Sequence, residues 1–180
     1  PDFNAKQGRA AVLFYNGMTW QTVAVLTASD GVAGDYFGYS VDISGDYIII
    51  GAYCDDSKRG SAYLFEKPSS GWADMTQTAK LTSSDGTYND WFAYSVSISV
   101  DCAVVGARLD DGKGSAYVFE KPVSGWANMT QTAKLLSSDL ASADAFGIDV
   151  SISNDLVVVG ANGDDDNGGS SGSAYVFEKP

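Results

Sequence analysis

The amino-acid sequence predicts an all-β protein made of tandem four-stranded antiparallel units. Three observations support this: a nine-residue sequence recurs three times, the apolar and alternating runs have the length of strands, and no stretch keeps a helical period. The recurring sequence occupies Gly60–Pro68, Gly114–Pro122 and Gly172–Pro180, so the copies begin 54 and 58 residues apart. Periods of this length indicate a repeat architecture.

The first complete copy contains four strand signals. Phe37–Ser44 alternates between apolar and polar residues, and a two-residue turn leads into Tyr47–Ala52, whose three isoleucines predict a strand buried on both faces. Ser61–Glu66 is the third strand, and the more polar Met75–Thr82 is the fourth, suited to an outer edge. Four antiparallel strands per repeat are typical of a β-propeller blade, so we expect a β-propeller-like fold.

Constant spacings divide the chain into copies. In each copy an Asp lies seven residues before a Phe, and that Phe lies fourteen residues before a Gly-Ala pair. The residues are Asp30, Phe37 and Gly51; Asp85, Phe92 and Gly106; and Asp139, Phe146 and Gly160. We therefore expect a single domain, 1–180, with a degenerate partial repeat at 1–29, repeats at 30–84 and 85–138, and a repeat at 139–180 that lacks its last strand.

About three repeats are fewer than the roughly four to eight blades that propellers use. The chain could be a fragment of a larger propeller, an open array completed by other copies of itself, or a compact ring of three repeats. An open strand edge invites pairing with a further strand. We therefore favour completion by other copies or by further repeats of a longer chain.

Two dipeptides in these copies resemble a known family. Phe37-Gly38 followed by Gly51-Ala52, and Phe146-Gly147 followed by Gly160-Ala161, resemble the FG-GAP repeat of integrin α-subunit propellers and many bacterial surface proteins. The second copy has Phe92-Ala93 but keeps its Gly-Ala pair. The resemblance implies a non-catalytic module that is extracellular or at the cell surface. The calcium loop of integrin repeats has no counterpart here, because only a short turn stands in its place.

The chain is acidic, with a formal net charge of −12. This charge disfavours nucleic acid and anionic membranes as partners, and no apolar run approaches the ~20 residues of a membrane helix. Thirteen of the 23 acidic residues fall in two connections per repeat that blade topology places on one face. They are Asp30, Asp35, Asp55, Asp56, Asp85, Asp90, Asp110, Asp111, Asp139, Asp144, Asp164, Asp165 and Asp166.

Carboxylates in such loops are candidate Ca²⁺ ligands, and the third copy, Asp164–Asp166, is the best candidate. The alternative is that these residues form ordinary turns, because Asp bonds its own backbone.

Aromatic residues and one sequon are further candidate sites. Exposed aromatic rings can stack on sugars, but rings repeated in each copy can also fill the gaps between blades. The candidate ligand-binding residues are Trp20, Tyr36, Trp72, Trp91 and Trp126. Asn128-Met129-Thr130 is a candidate N-glycosylation site.

Catalytic constellations are scarce in this sequence. It contains no His, which excludes Ser-His-Asp, Cys-His and His-metal sites, and the Asp residues recur in repeated turns. Cys54 and Cys102 fall at opposite strand ends in different units, so we expect no internal disulfide. The sequence therefore predicts a non-enzymatic, secreted structural or adhesive module that acts by multivalent contacts and self-assembly, for instance as a filament or sheath subunit. The alternative is a propeller that binds a carbohydrate or surface-protein ligand, with Ca²⁺ as a candidate cofactor.

Overall fold

A computed structural model describes residues 8–139, 141–166, 168–169 and 171–179, and it has four β-sheets. Within these residues the strands are β1 (Ala10–Tyr15), β2 (Trp20–Thr27), β3 (Ser40–Ser44), β4 (Tyr47–Ala52), β5 (Ser61–Glu66), β6 (Met75–Thr76), β7 (Ala79–Thr82), β8 (Phe92–Ile98), β9 (Cys102–Ala107), β10 (Ser115–Glu120), β11 (Met129–Thr130), β12 (Ala133–Leu135), β13 (Phe146–Ser153), β14 (Leu156–Ala161) and β15 (Ser173–Glu178). One helical turn, Asp55–Lys58, and one 3₁₀ turn, Asp110–Gly112, complete the elements.

The sheets form four blades in chain order. Blade 1 contains β1 and β2, blade 2 contains β3, β4, β5 and β7, blade 3 contains β8, β9, β10 and β12, and blade 4 contains β13, β14 and β15. Neighbouring strands within a blade are antiparallel. The all-β fold and its four-stranded antiparallel blades are therefore confirmed, and so is the absence of a long helix among the described residues. Only β1 and β2 of the predicted partial repeat 1–29 can be compared, because 1–7 lie outside the described residues.

The prediction of one continuous fourth strand over Met75–Thr82 is wrong. Its first part, β6, pairs in parallel with β2 of blade 1, and only its second part, β7, pairs with β5 of its own blade. The same division occurs 54 residues later, where β11 pairs in parallel with β7 and β12 pairs with β10. The split arises because the segment crosses from one blade edge to the next, and no single straight strand reaches both.

The first strand of blade 2 also begins later than expected, at Ser40. Tyr36 and Gly38 both have positive φ, of 57° and 93°, so the chain turns tightly around Phe37. The side chain of Phe37 thereby points into the core, where its ring centroid lies 5.6 Å from that of Tyr63. Phe92 and Phe146 pack in the same way on Tyr117 and Tyr175, each with a centroid separation of 5.4 Å.

The hydrophobic core lies between the blades. Side chains on β4 and β5 alternate, so that Ile50 and Tyr63 face blade 1 whereas Ile49 and Leu64 face blade 3. Each blade is thus a layer with two apolar faces, and each face needs a neighbouring blade to cover it.

Close backbone approach between the blades explains the glycine of the Gly-Ala pair. A Cβ on Gly51 would overlap the Ser40 hydroxyl of its own blade and the carbonyl oxygen of Ala93 in blade 3, and a Cβ on Gly106 would overlap the carbonyl oxygen of Gly147 in blade 4. On Gly160, in the last blade, a Cβ would meet nothing closer than 3.7 Å.

Candidate functional site

An Asp–Tyr–Lys cluster lies where the two acidic loops of blade 2 meet. Lys80 on β7 places its Nζ 2.6 Å from Asp30 Oδ2 and 2.8 Å from Asp55 Oδ2. The Tyr63 hydroxyl lies 3.0 Å from Asp30 Oδ1 and 3.2 Å from Asp55 Oδ2, and the Ser61 hydroxyl donates to Asp55 at 2.6 Å. Lys80 therefore neutralises carboxylates that are 25 residues apart in the chain.

Blade 3 repeats the cluster with Lys134 on β12. Its Nζ lies 2.6 Å from Asp85 Oδ2 and 2.6 Å from Asp110 Oδ2, and Tyr117 bonds Asp85 at 3.0 Å. Sequence reasoning did not assign Lys80, Lys134, Tyr63 or Tyr117 to these loops. The available signal was that each of them recurs at one fixed position of the repeat.

The electrostatics of the two clusters follow from the lysines. Burial alone would raise the pKa of Asp30 and of Asp85, but the hydrogen bond and charge of the lysine outweigh it, so the pKa of both carboxyls is lowered. Burial would lower the pKa of Lys80 and Lys134, yet the hydrogen bonds to their carboxylates raise it. The shifts favour the charged forms of the Lys80–Asp30 and Lys134–Asp85 pairs.

Blade 4 has the same acids and tyrosine. The Tyr175 hydroxyl lies 2.7 Å from Asp139 Oδ1 and 2.6 Å from Asp164 Oδ2, and its hydrogen bond lowers the pKa of Asp164. Among the described residues, no lysine pairs with these two carboxylates. The third cluster thus carries uncompensated negative charge.

The remaining acidic candidates have other surroundings. Asp35, Asp90 and Asp144 are buried and accept backbone N–H bonds three residues upstream, from Val32, Thr87 and Ala141. Burial is the first reason that the pKa of Asp35 and Asp90 is raised. Four others are exposed: Asp56, Asp111, Asp165 and Asp166.

Across the described part of the chain, no group of three or more acidic or Cys side chains is arranged to hold a metal ion. Calcium binding by these aspartates stays a prediction.

The candidate tryptophans are divided between packing and exposure. Trp126 is buried between blades 2 and 3, and Trp72 packs in the core between blades 1 and 2, whereas Trp20 is exposed. The Nε1 of Trp126 is buried and, in the described residues, without a hydrogen-bond partner. Packing between blades therefore accounts for Trp72 and Trp126.

Tyr36 and Trp91 belong to a partly exposed group of aromatic rings beside blades 2 and 3. The group, which we call the aromatic cluster, consists of Tyr36, Tyr39, Tyr53, Trp91, Tyr94 and Arg108. Trp91 stacks on Tyr94 at 5.8 Å, and the Arg108 guanidinium lies 5.3 Å and 5.0 Å from these two rings. Sequence reasoning missed four members, although they hold fixed repeat positions after the Phe-Gly or Phe-Ala pair and after the Gly-Ala pair.

The sequon and the two cysteines are the remaining positions that the sequence singles out. The side-chain oxygen of Asn128 accepts a 2.8 Å bond from the backbone N–H of Lys80, so this side chain joins blade 3 to blade 2. Its glycosylation stays a prediction. Cys54 and Cys102 are free thiols, and burial raises the pKa of Cys102 to about 11.

The comparisons agree with the repeat structure. The model of the FG-GAP repeat matches residues 20–65, 75–119 and 129–177, well over half of the chain. A search among curated proteins returned no match. In the residues described by the structure, no helix is long and apolar enough to span a membrane. Repeats of this family are generally non-enzymatic and are typical of extracellular adhesive or ligand-binding propeller modules. With three consecutive matches on three blade-forming segments, this chain belongs to the FG-GAP repeat family.

Proposed function

We propose that the chain is a non-catalytic, extracellular structural or adhesive module that assembles through exposed apolar faces on blades 2 and 4. One contrast carries the proposal: apolar positions that are buried between blades 2 and 3 have exposed counterparts on blade 4 and on β3 of blade 2. An assembly built this way would present its surface many times over, as a filament or sheath subunit does.

The exit face, defined as Leu156, Val158 and Val176 of blade 4, is the first of these open surfaces. These side chains are 46%, 40% and 65% exposed. Their counterparts in blade 2 are Tyr47, Ile49 and Leu64, which blade 3 covers to 9%, 0% and 0% exposure.

The entrance face, defined as Val41 and Ile43 of β3, is the second. These side chains are 60% and 61% exposed, whereas their counterparts Val96 and Ile98 are 7% and 3% exposed against blade 2. The buried interface between blades 2 and 3 joins an exit face to an entrance face. Blade 1, which consists of β1 and β2, borders Val41 and Ile43 without covering them. Burial of the exit face of one copy in the space that blade 1 leaves open on another copy would favour a head-to-tail contact.

Gly160 provides the test. If another blade docks on the exit face as blades 3 and 4 dock inside the array, its backbone will approach Gly160 as Ala93 approaches Gly51. Gly160→Ala leaves the isolated fold unstrained, since its Cβ has room, but would block that docking. The matched control is Gly169→Ala, where an added Cβ meets nothing within 4 Å.

The measurement is native molar mass by light scattering, with and without EDTA. We expect multiples of 18.9 kDa for the natural sequence and for Gly169→Ala, and a shift to the monomer for Gly160→Ala. Dissociation in EDTA would assign a role to Ca²⁺. A natural chain that stays at 18.9 kDa at high concentration would refute assembly.

A second candidate function is binding of a carbohydrate or protein ligand, and the aromatic cluster favours it. Blade 4 has Ala145, Ile148 and Asn162 where blade 3 has Trp91, Tyr94 and Arg108. Blades 2 and 3 thus carry aromatic residues at positions that blade 4 fills with other residues, so the repeated fold does not require rings there. A glycan array with and without chelator tests it: Trp91→Ala should abolish a specific signal, whereas Trp20→Ala, outside the cluster, should leave it unchanged.

A further inference from the structure

A groove runs between blades 3 and 4. It is a cavity of about 210 Å³ with an apolar lining. Val118 and Leu135 of blade 3 line one side, and Ile152 and Phe177 of blade 4 line the other.

The equivalent groove between blades 2 and 3 is full. There Leu64, Leu81 and Phe119 stand at the positions of Val118, Leu135 and Phe177, and they enclose Trp126 and Met129. Both residues belong to the segment that leads from β10 to β12. One interface earlier, Trp72 and Met75 fill the groove between blades 1 and 2 in the same way.

Hydrogen bonds hold each of these segments to the preceding blade. Asp74 accepts from the Val25 amide at 2.8 Å, and Gln77 accepts from the Ser29 amide at 2.9 Å. Asn128 and Gln131 repeat the two bonds with the amides of Lys80 and Ser84. Lys134 and Ser138 stand at the matching positions of blade 3, where their amides would make the same two bonds to a third segment.

Each segment ends on the lysine of an Asp–Tyr–Lys cluster. Lys80 and Lys134 lie eight residues after Trp72 and Trp126. The carboxylates of Asp139 and Asp164 are therefore placed where the lysine of a third segment would reach them. β15, which carries Tyr175, pairs with β14 and with no further strand among the described residues.

We propose that the groove, the β15 edge and the Asp139–Asp164 pair form one docking site for a repeat segment with the side-chain pattern of residues 72–80: Trp, then Met, Gln and Lys three, five and eight residues later. The proposal goes beyond the assembly function above, because it names the partner of the groove and of the β15 edge, not that of the exit face. The segment comes from a further repeat of this type. The first hairpin of a second copy is a poorer fit, since Val25 stands at the lysine position and Thr22 at the glutamine position.

The probe is a labelled synthetic peptide with the sequence of residues 70–82, titrated into the full chain and followed by fluorescence anisotropy. We expect saturable one-to-one binding. A peptide with Trp72→Ala and Met75→Ala should lose binding, because it leaves the groove empty. A peptide with Lys80→Met should bind about tenfold more weakly, the size expected for a lost charged hydrogen bond.

Protein variants locate the binding. Asp139→Asn should weaken binding of the natural peptide but should not further weaken the Lys80→Met peptide, as expected when one contact is removed from both sides. The matched control is Asp85→Asn, in a cluster whose lysine is already present, and it should leave peptide affinity unchanged. Circular dichroism is the control that each variant is folded.

Three results would overturn the proposal: no saturable binding, equal binding of the Trp72→Ala/Met75→Ala peptide, or equal weakening by Asp85→Asn and Asp139→Asn. Equal or tighter binding of a peptide of residues 15–27 would assign the site to the first hairpin of another copy instead. Assembly that Gly160→Ala abolishes, without peptide binding, would leave the proposed function standing and refute this site. Peptide binding by a chain that stays monomeric would support this site and refute the proposed assembly.

Discussion

The carboxylate of Asp74 accepts a 2.8 Å hydrogen bond from the backbone N–H of Val25, a residue of the preceding blade. Met75 then pairs with Leu26, and Gln77 bonds the backbone N–H of Ser29. Each segment that contains a fourth strand therefore bonds to the preceding blade first and then pairs with the third strand of its own blade. Because one segment contacts two blades, it stabilises the interface between them as well as its own blade.

We expect Gln77→Ala to destabilise the protein by about 1 kcal/mol. The substitution removes two bonds, to the Ser29 amide and from the Gln77 amide to the Ser29 hydroxyl. Gln21→Ala, at an exposed position of β2, should change the free energy of unfolding by less than about 0.5 kcal/mol. Urea denaturation measures both, and equal effects would show that the bonds across the blades contribute nothing.

Lys134→Met should destabilise the protein by about 2 kcal/mol, because the buried carboxylate of Asp110 loses its cation. Lys134 is partly exposed, which limits the cost. The control is Lys67→Met, which removes a 3.4 Å ion pair with exposed Asp46 and should have an effect near zero. A similar loss for the two variants would contradict a special role for the cluster.

Stability should fall in acid through Asp30 and Asp85. Their pKa is lowered in the fold by the lysine partners, in spite of burial, so the unfolded chain binds more protons. Their contribution is present above the ordinary value of 3.8 and is lost as the pH falls through the lowered folded pKa. Asp35 and Asp90 act in the opposite direction, since burial raises their pKa.

The Asp85→Asn variant isolates this contribution. Its unfolding free energy should change less between pH 7 and pH 3 than that of the natural sequence, because one titrating group has been removed. Urea titrations at several pH values give the comparison. Parallel pH profiles for the two proteins would contradict the prediction.

Gly51→Ala and Gly106→Ala should each destabilise the protein by about 2 kcal/mol or more, because the new Cβ would force neighbouring blades apart. Gly160→Ala should be close to neutral in the monomer, where its Cβ has room. Thermal unfolding at low protein concentration provides the measurement. A large loss for Gly160→Ala would mean that the repeated glycine is needed because of strain within a blade instead of contact between blades.

Trp126→Ala should cost about 3 kcal/mol, since it empties a buried site between two blades. Trp20→Ala should cost well under 1 kcal/mol, because Trp20 is exposed and contacts Tyr15 alone among the aromatic rings described. Comparable losses for the two variants, measured by urea denaturation, would show that Trp126 is not a packing residue.

Local patterns were sufficient for most of the fold. The recurrence of Phe37, Phe92 and Phe146 at fixed distances from Gly-Ala pairs predicted rigid repeated units, and the three rings do pack alike. Strand alternation is readable because it depends on neighbouring residues only. The candidate site was harder to predict, because Asp30, Asp55 and Lys80 come from three different parts of the repeat.

The sequence by itself determined the all-β class, the repeat period and the family, since each follows from spacing along one chain. Only the tertiary structure decided that Met75 pairs with the preceding blade and that Lys80 joins two acidic loops. It also decided that Val41 and Val158 remain uncovered while their counterparts are buried. The physical reason is that strand periodicity gives the side of a strand on which a residue lies, whereas its partner there depends on how the blades stack.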